Sequence, residues 1–96
     1  MSVLLIVEIS AVTDSATYAE DVRQAPGTVE KFGGRYLARG ERVESLGGDW
    51  LPERVVILEF PSWENLMSWQ TCPEYKALAP LRLRSTSSRA IAVEGI

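Results

Sequence analysis

The run Arg54-Val55-Val56-Ile57-Leu58-Glu59-Phe60, stopped by Pro61, carries the strongest strand pattern in the chain. Branched and aromatic side chains suit a pleated surface, and a proline cannot donate to a strand ladder, so the run reads as a strand ending at Pro61. Alternation puts Val56, Leu58 and Phe60 on one face and Val55, Ile57 and Glu59 on the other. Both faces are apolar as far as Glu59, so both need cover.

The flanking sequence supplies the partners. Val3-Leu4-Leu5-Ile6-Val7-Glu8-Ile9 is apolar on both alternations until Glu8 and reads as a buried strand. It is far shorter than the ~20 residues a membrane span needs, and it lacks the basic flank of a signal peptide. Arg35-Tyr36-Leu37-Ala38-Arg39 reads as a second strand, which Arg42-Val43-Glu44-Ser45-Leu46 either extends or follows as a short ribbon. Arg89-Ala90-Ile91-Ala92-Val93-Glu94 closes the set. Behind an Asp14 N-cap, Tyr18, Val22, Ala25, Val29 and Phe32 recur at helical spacing, with a kink or break predicted at Pro26-Gly27 and an end at Gly33-Gly34. Ser62 N-caps a helix through Thr71; Pro73 opens a further piece through Tyr75, Leu78 and Leu81, frayed at Pro80.

Strand, helix, strand, strand, helix, strand is the order of an α+β, ferredoxin-like βαββαβ sandwich. Residues 1–96 form one such domain. Its four-stranded antiparallel sheet has order 4-1-3-2, with helices on one face only. Alternation assigns Leu4, Ile6, Glu8, Arg35, Leu37, Arg39, Val55, Ile57, Glu59, Ala90, Ala92 and Glu94 to the open face. A surface this apolar calls for a partner, and a second copy related by a two-fold axis provides one, so the chain is expected to be a homodimer whose two sheets close into a barrel. In that register Arg35 stands opposite Glu59, and Arg39 lies at the end nearer Glu8.

Composition narrows the function. With 46% hydrophobic and 24% charged residues, the chain is an ordinary globular domain, neither disordered nor collagen-like. A net charge of -3 and no basic stripe argue against a nucleic-acid partner. The single cysteine, Cys72, excludes an internal disulfide and fits a reducing cytoplasm. Histidine is absent, which removes histidine-based triads and the common histidine metal and haem sites. Gly33-Gly34 and Gly47-Gly48 lack nucleotide-binding spacing. No carboxylate cluster has convincing metal spacing, although Glu8, Glu59 and Glu94, assigned to one face, leave a small opening for a hard cation. No cofactor and no metal are expected.

Several stretches are similar to a known family. Phe32-Gly33-Gly34-Arg35-Tyr36-Leu37-Ala38-Arg39-Gly40, the run Trp50 to Ser62, the segment Trp69 to Tyr75 and Val93-Glu94-Gly95 resemble signatures of the domain of unknown function 1330 family, over nearly the whole chain. The resemblance implies a dimeric α/β barrel and no settled activity. Gln70 stands where the family often has an aromatic residue, and Cys72 where it often has serine. Cofactor-independent monooxygenases, lactone isomerases and haem-related enzymes occur in the wider barrel superfamily, but their usual histidines have no counterpart here.

Glu59 is the candidate acid or base: burial would raise its pKa, and the alternative is an ion pair with Arg35 or Arg39. Arg39, with Arg35 near it, suits an anionic ligand, the alternative for Arg39 being a pair with Glu8 or Glu44. Trp69 and Tyr75 either line a pocket or pack the core. Trp50 and Trp63 read as packing or dimer-edge residues. Cys72 sits at a helix N-terminus, where a thiol pKa falls, yet without histidine it is no dedicated nucleophile. Three functions follow: a dimer binding a small apolar or aromatic, possibly anionic, ligand; a cofactor-independent enzyme on a small carbonyl or aromatic compound using Glu59; or a structural or regulatory dimer without ligand.

Overall fold

A computed structural model describes residues 1–96. The elements run β1 (Val3–Val12), α1 (Ser15–Lys31), β2 (Arg35–Gly40), β3 (Arg54–Phe60), α2 (Trp63–Thr71), α3 (Pro73–Ser85) and β4 (Thr86–Glu94). They form one antiparallel sheet in the order β2-β3-β1-β4, the arrangement the element order predicts.

Local chemistry sets the helix boundaries. The Asp14 carboxylate accepts from the Thr17 amide at 3.2 Å and caps α1, and the Ser62 hydroxyl accepts from the Asn65 amide at 3.1 Å and caps α2. Gly33, at φ +78, supplies the left-handed residue just after the α1 C-cap Phe32. Asn65 then ties the two helices together by donating to the Phe32 carbonyl at 3.0 Å.

One face of the sheet carries the core. Val3, Leu5, Val7 and Ile9 of β1 and Leu58 and Phe60 of β3 are buried beneath Tyr18 and Val29 of α1, Leu66 and Trp69 of α2, and Tyr75 and Leu78 of α3. Phe60, fully buried, stacks near Trp69 with ring centroids 5.3 Å apart, and Trp69 lies 4.1 Å from Tyr75. The opposite face has no helix over it. There Ile57, Ile6 and Ile91 stand side by side across β3, β1 and β4, and Ile91 is 65% exposed.

Five details differ from the sequence reading. First, the break, one of two alternatives at Pro26-Gly27, does not occur: α1 runs on as a single helix through Pro26, where the missing amide removes one intrahelical bond. Second, α3 continues past Pro80 to Ser85, and β4 starts at once at Thr86. The Ser85 carbonyl, accepting from Thr13 and Asp14 amides at 2.7 and 3.2 Å, fixes that junction against the end of β1. Third, residues 42–46 join neither strand.

Fourth, the faces of β4 are reversed: Arg89, Ile91 and Val93 pair with Glu8, Ile6 and Leu4 on the open face, so Ala90, Ala92 and Glu94 belong to the helix side. Each set in β4 combines two apolar residues with one charged residue, so alternation alone could not choose between them. The bond from Arg89 Nε to Glu8 Oε2 at 2.6 Å fixes the choice. Fifth, β2 carries a bulge between Tyr36 and Ala38, and Arg39 pairs with Val56 rather than Val55. The extra residue turns Arg39 onto the helix face.

Candidate ligand-binding cavity

The bulge puts Arg39 at a cavity between the sheet and the helices. Leu5, Val7, Ile9, Val56 and Leu58 form its floor, and Val22 and Ala25 of α1 close one side. Tyr18, Tyr36, Trp69 and Tyr75 add four aromatic rings, and Asp21, Arg39 and Arg82 supply its charges. The volume is about 50 Å³, room for a few water molecules or for the end of a ligand. A wider recess of about 350 Å³ shares Tyr18, Val22, Arg39 and Val56 with it and adds Gly40, Glu41 and Arg54.

Each polar group has a distinct setting. The guanidinium of Arg39 lies 4.9 Å from the Tyr36 ring centre, and that of Arg82 lies 5.6 Å from the Tyr75 ring centre. Neither enters an ion pair. Arg54 is held 2.8 Å from Glu41 and 5.2 Å from the Tyr18 ring centre, while its buried Nε has no hydrogen-bond partner. Burial raises the pKa of Tyr18 and of Tyr36, so both phenols stay neutral and can donate at physiological pH. Burial also raises the pKa of Asp21, against the pull of the Arg82 charge.

The structure separates the residues that the sequence grouped. Arg39, Trp69 and Tyr75 meet at the cavity. Trp69 is both core and lining: its ring is buried, and its Nε1 donates to Thr28 Oγ1 at 3.0 Å. Glu59 and Arg35 lie on the other face, where Arg35 Nε donates to Glu59 Oε1 at 2.8 Å. The hydrogen bond from Arg35 comes first among the causes that lower the Glu59 pKa, the opposite of the rise expected from burial. Glu8, Arg89 and Trp50 also lie on that open side, around a separate recess with Ile6 and Ile91. Cys72 is buried at the start of α3, where its Sγ accepts from the Tyr75 amide at 3.4 Å.

Sequence reasoning missed Tyr18, Asp21, Tyr36 and Arg82. The signal for Asp21 was present: it falls three residues after Tyr18 and four before Ala25, inside the apolar stripe of α1.

No curated protein matches this sequence. Among solved structures, the protein of unknown function RPA0582 from Rhodopseudomonas palustris is similar at a TM-score of 0.80 and 19% identity, covering 99% of this chain and 82% of that one. A dimeric ferredoxin-like protein of unknown function from Jannaschia sp. CCS1 aligns at 0.79 and 9% identity, over 99% and 100% of the two chains. SnoaB, a cofactor-independent oxygenase from Streptomyces nogalater, aligns at 0.73 and 10% identity, over 99% and 93%. At these identities the likeness is one of fold. The sequence profile of the domain of unknown function DUF1330 matches residues 2–96, and the chain therefore belongs to the DUF1330 family.

Proposed function

We propose that the chain is a homodimer and that each protomer binds, across the cavity beneath its helices and the wider recess that adjoins it, a small molecule with an apolar or aromatic body and an anionic group. One observation carries the reading: Arg39 and Arg82 bring two guanidinium groups without carboxylate partners to a wall that is otherwise mostly apolar and aromatic. Guanidinium is suited to carboxylate or phenolate, and Arg54 lines the outer recess beside Arg39. The row of half-buried Ile57 and Ile6 with exposed Ile91 on the open face supports self-association, as does the dimeric neighbour of the same fold. No helix is long and apolar enough to cross a membrane, and a buried free thiol at Cys72 fits a cytoplasmic setting.

Trp69 reports on the site. In a background with Trp50→Phe and Trp63→Phe, titration with benzoate or phenylacetate should quench its fluorescence saturably. Arg39→Ala should weaken that binding by about tenfold or more, the usual loss for a charge-assisted hydrogen bond. A native mass spectrum of gently purified protein should show a dimer with retained small-molecule mass. A bare mass, together with no quenching at millimolar acid, would return the chain to the structural reading.

A further inference from the structure

Asp21 has no partner. It is only 9% exposed, it faces the cavity, and no hydrogen bond or ion pair within the chain engages its carboxylate. A carboxylate retained for stability would be paired, because an unpaired buried charge is costly. The ionisable groups that share the cavity with it are three phenols, Tyr18 from its own helix, Tyr36 from β2 and Tyr75 from α3, and two guanidinium groups, Arg39 from β2 and Arg82 from α3. Arginine does not give up its proton at working pH, and burial keeps Tyr18 and Tyr36 protonated. Asp21 is the one carboxylate at this cavity, and the Tyr18 and Tyr36 hydroxyls and the two guanidinium groups are donors suited to an oxyanion.

We propose that Asp21 is a general base for proton transfer from carbon in a small enolisable carbonyl acid, such as a 2-oxo acid. The inference rests on the cavity being a ligand site. The carboxylate of Asp21 takes the proton from the carbon next to the carbonyl. The C–H electron pair becomes the new C=C bond, and the carbonyl π pair moves onto oxygen as an enolate. Arg82 and the tyrosine hydroxyls stabilise that oxygen, while Arg39 holds the substrate carboxylate. Asp21 then returns the proton to the same or another atom. No electrons leave the substrate, so no oxidant or cofactor is required. Burial, which raises the Asp21 pKa, brings the carboxylate closer to the strength such a base needs.

The test is exchange of the C3 protons of 2-oxobutanoate and phenylpyruvate in D2O, followed by proton NMR, with Trp69 quenching by the same compounds as the binding readout. The protein should speed exchange well above buffer, with a rate that rises through an apparent pKa above that of ordinary aspartate. Asp21→Asn should lower exchange by about a hundredfold or to the buffer rate, with binding kept within a few-fold, and Asp21→Glu should recover part of it. Quenching without exchange, or equal exchange by Asp21→Asn, would overturn the proton-transfer role and leave the binding site standing. No quenching by either compound would overturn the role and count against the binding reading as well.

Discussion

Arg35 and Arg39, four residues apart on one strand, stand on opposite faces of the sheet. Regular alternation would put them on the same face. The bulge between Tyr36 and Ala38 inserts one residue between two paired positions, so Arg35 remains opposite Glu59 while Arg39 moves opposite Val56. Tyr36 and Arg39, three apart, consequently meet at the cavity. One added residue thereby brings a cation to the helix side that a flat strand would have left with Glu59.

The two arginines should behave differently on substitution. Arg39→Ala removes a cation from the cavity and weakens aromatic-acid binding by about tenfold or more. Arg35→Ala breaks an exposed pair and leaves binding within about threefold, with little loss of stability. Deleting Leu37, the added residue, flattens the strand yet keeps Arg35 and Arg39 on their present sides, so binding by that variant should persist. Fluorescence titration of the three variants checks this; equal losses from Arg35→Ala and Arg39→Ala would contradict the split.

How far the sequence speaks depends on the kind of signal. The strand order and the Arg35–Glu59 pairing were legible, because they follow from element order and from alternation within unbroken runs. The face of Arg39 was not, because the bulge occurs in Tyr36-Leu37-Ala38, with no glycine or proline to announce it. Asp21 was hidden by a habit of pattern: a search for apolar residues at helical spacing passes over the one carboxylate in the stripe. Glu59 had two readings in the sequence, an acid or base and an ion pair, and the structure pairs it with Arg35 from the neighbouring strand.

Gly34 and Gly27 should respond to alanine with opposite signs. A Cβ at Gly34 would lie 2.7 Å from both a Phe60 ring carbon and a Val29 methyl carbon, in the tightest part of the core. Gly34→Ala should therefore destabilise by about 1–3 kcal/mol, as overpacking does. Gly27 lies within α1 with nothing within 4 Å of such a Cβ, and alanine is the better helix former. Gly27→Ala should stabilise by about 0.5–1 kcal/mol. Urea denaturation of both variants reads the contrast.

Asp21 predicts a stability change that depends on pH. Its folded pKa is raised by burial, so between the unfolded and folded values the native state binds more protons than the unfolded state. Stability from this group therefore falls as pH rises through that window and stays low above it. Asp21→Asn should melt higher than the parent near pH 7 and converge with it at acid pH. Glu8 and Glu59, whose pKa values are lowered chiefly by hydrogen bonds from Ser10 and Arg35, act in the other direction, losing their contribution as pH falls. They do so equally in both proteins, so the difference isolates Asp21. A higher-melting Asp21→Asn that has also lost proton exchange would mark a carboxylate kept for chemistry at a cost in stability.

The open face gives the last prediction. Ile6 pairs with Ile57 on one side and Ile91 on the other, making an apolar row across three strands. The Arg35–Glu59 and Arg89–Glu8 pairs flank that row on either side along the strands. A two-fold partner laid on this face would cover the row and leave the charged pairs towards its margins, the apolar-centre, polar-rim pattern of stable interfaces. Ile91→Arg puts a charge at an exposed position in that row and should shift the protein from dimer to monomer in analytical ultracentrifugation. Because Ile91 lies on the face away from the helix-side core, the monomer should keep its secondary structure and its Trp69 environment. A dimer that survives Ile91→Arg would place self-association on some other surface. A monomer that still binds aromatic acids would show that each cavity is complete within one chain.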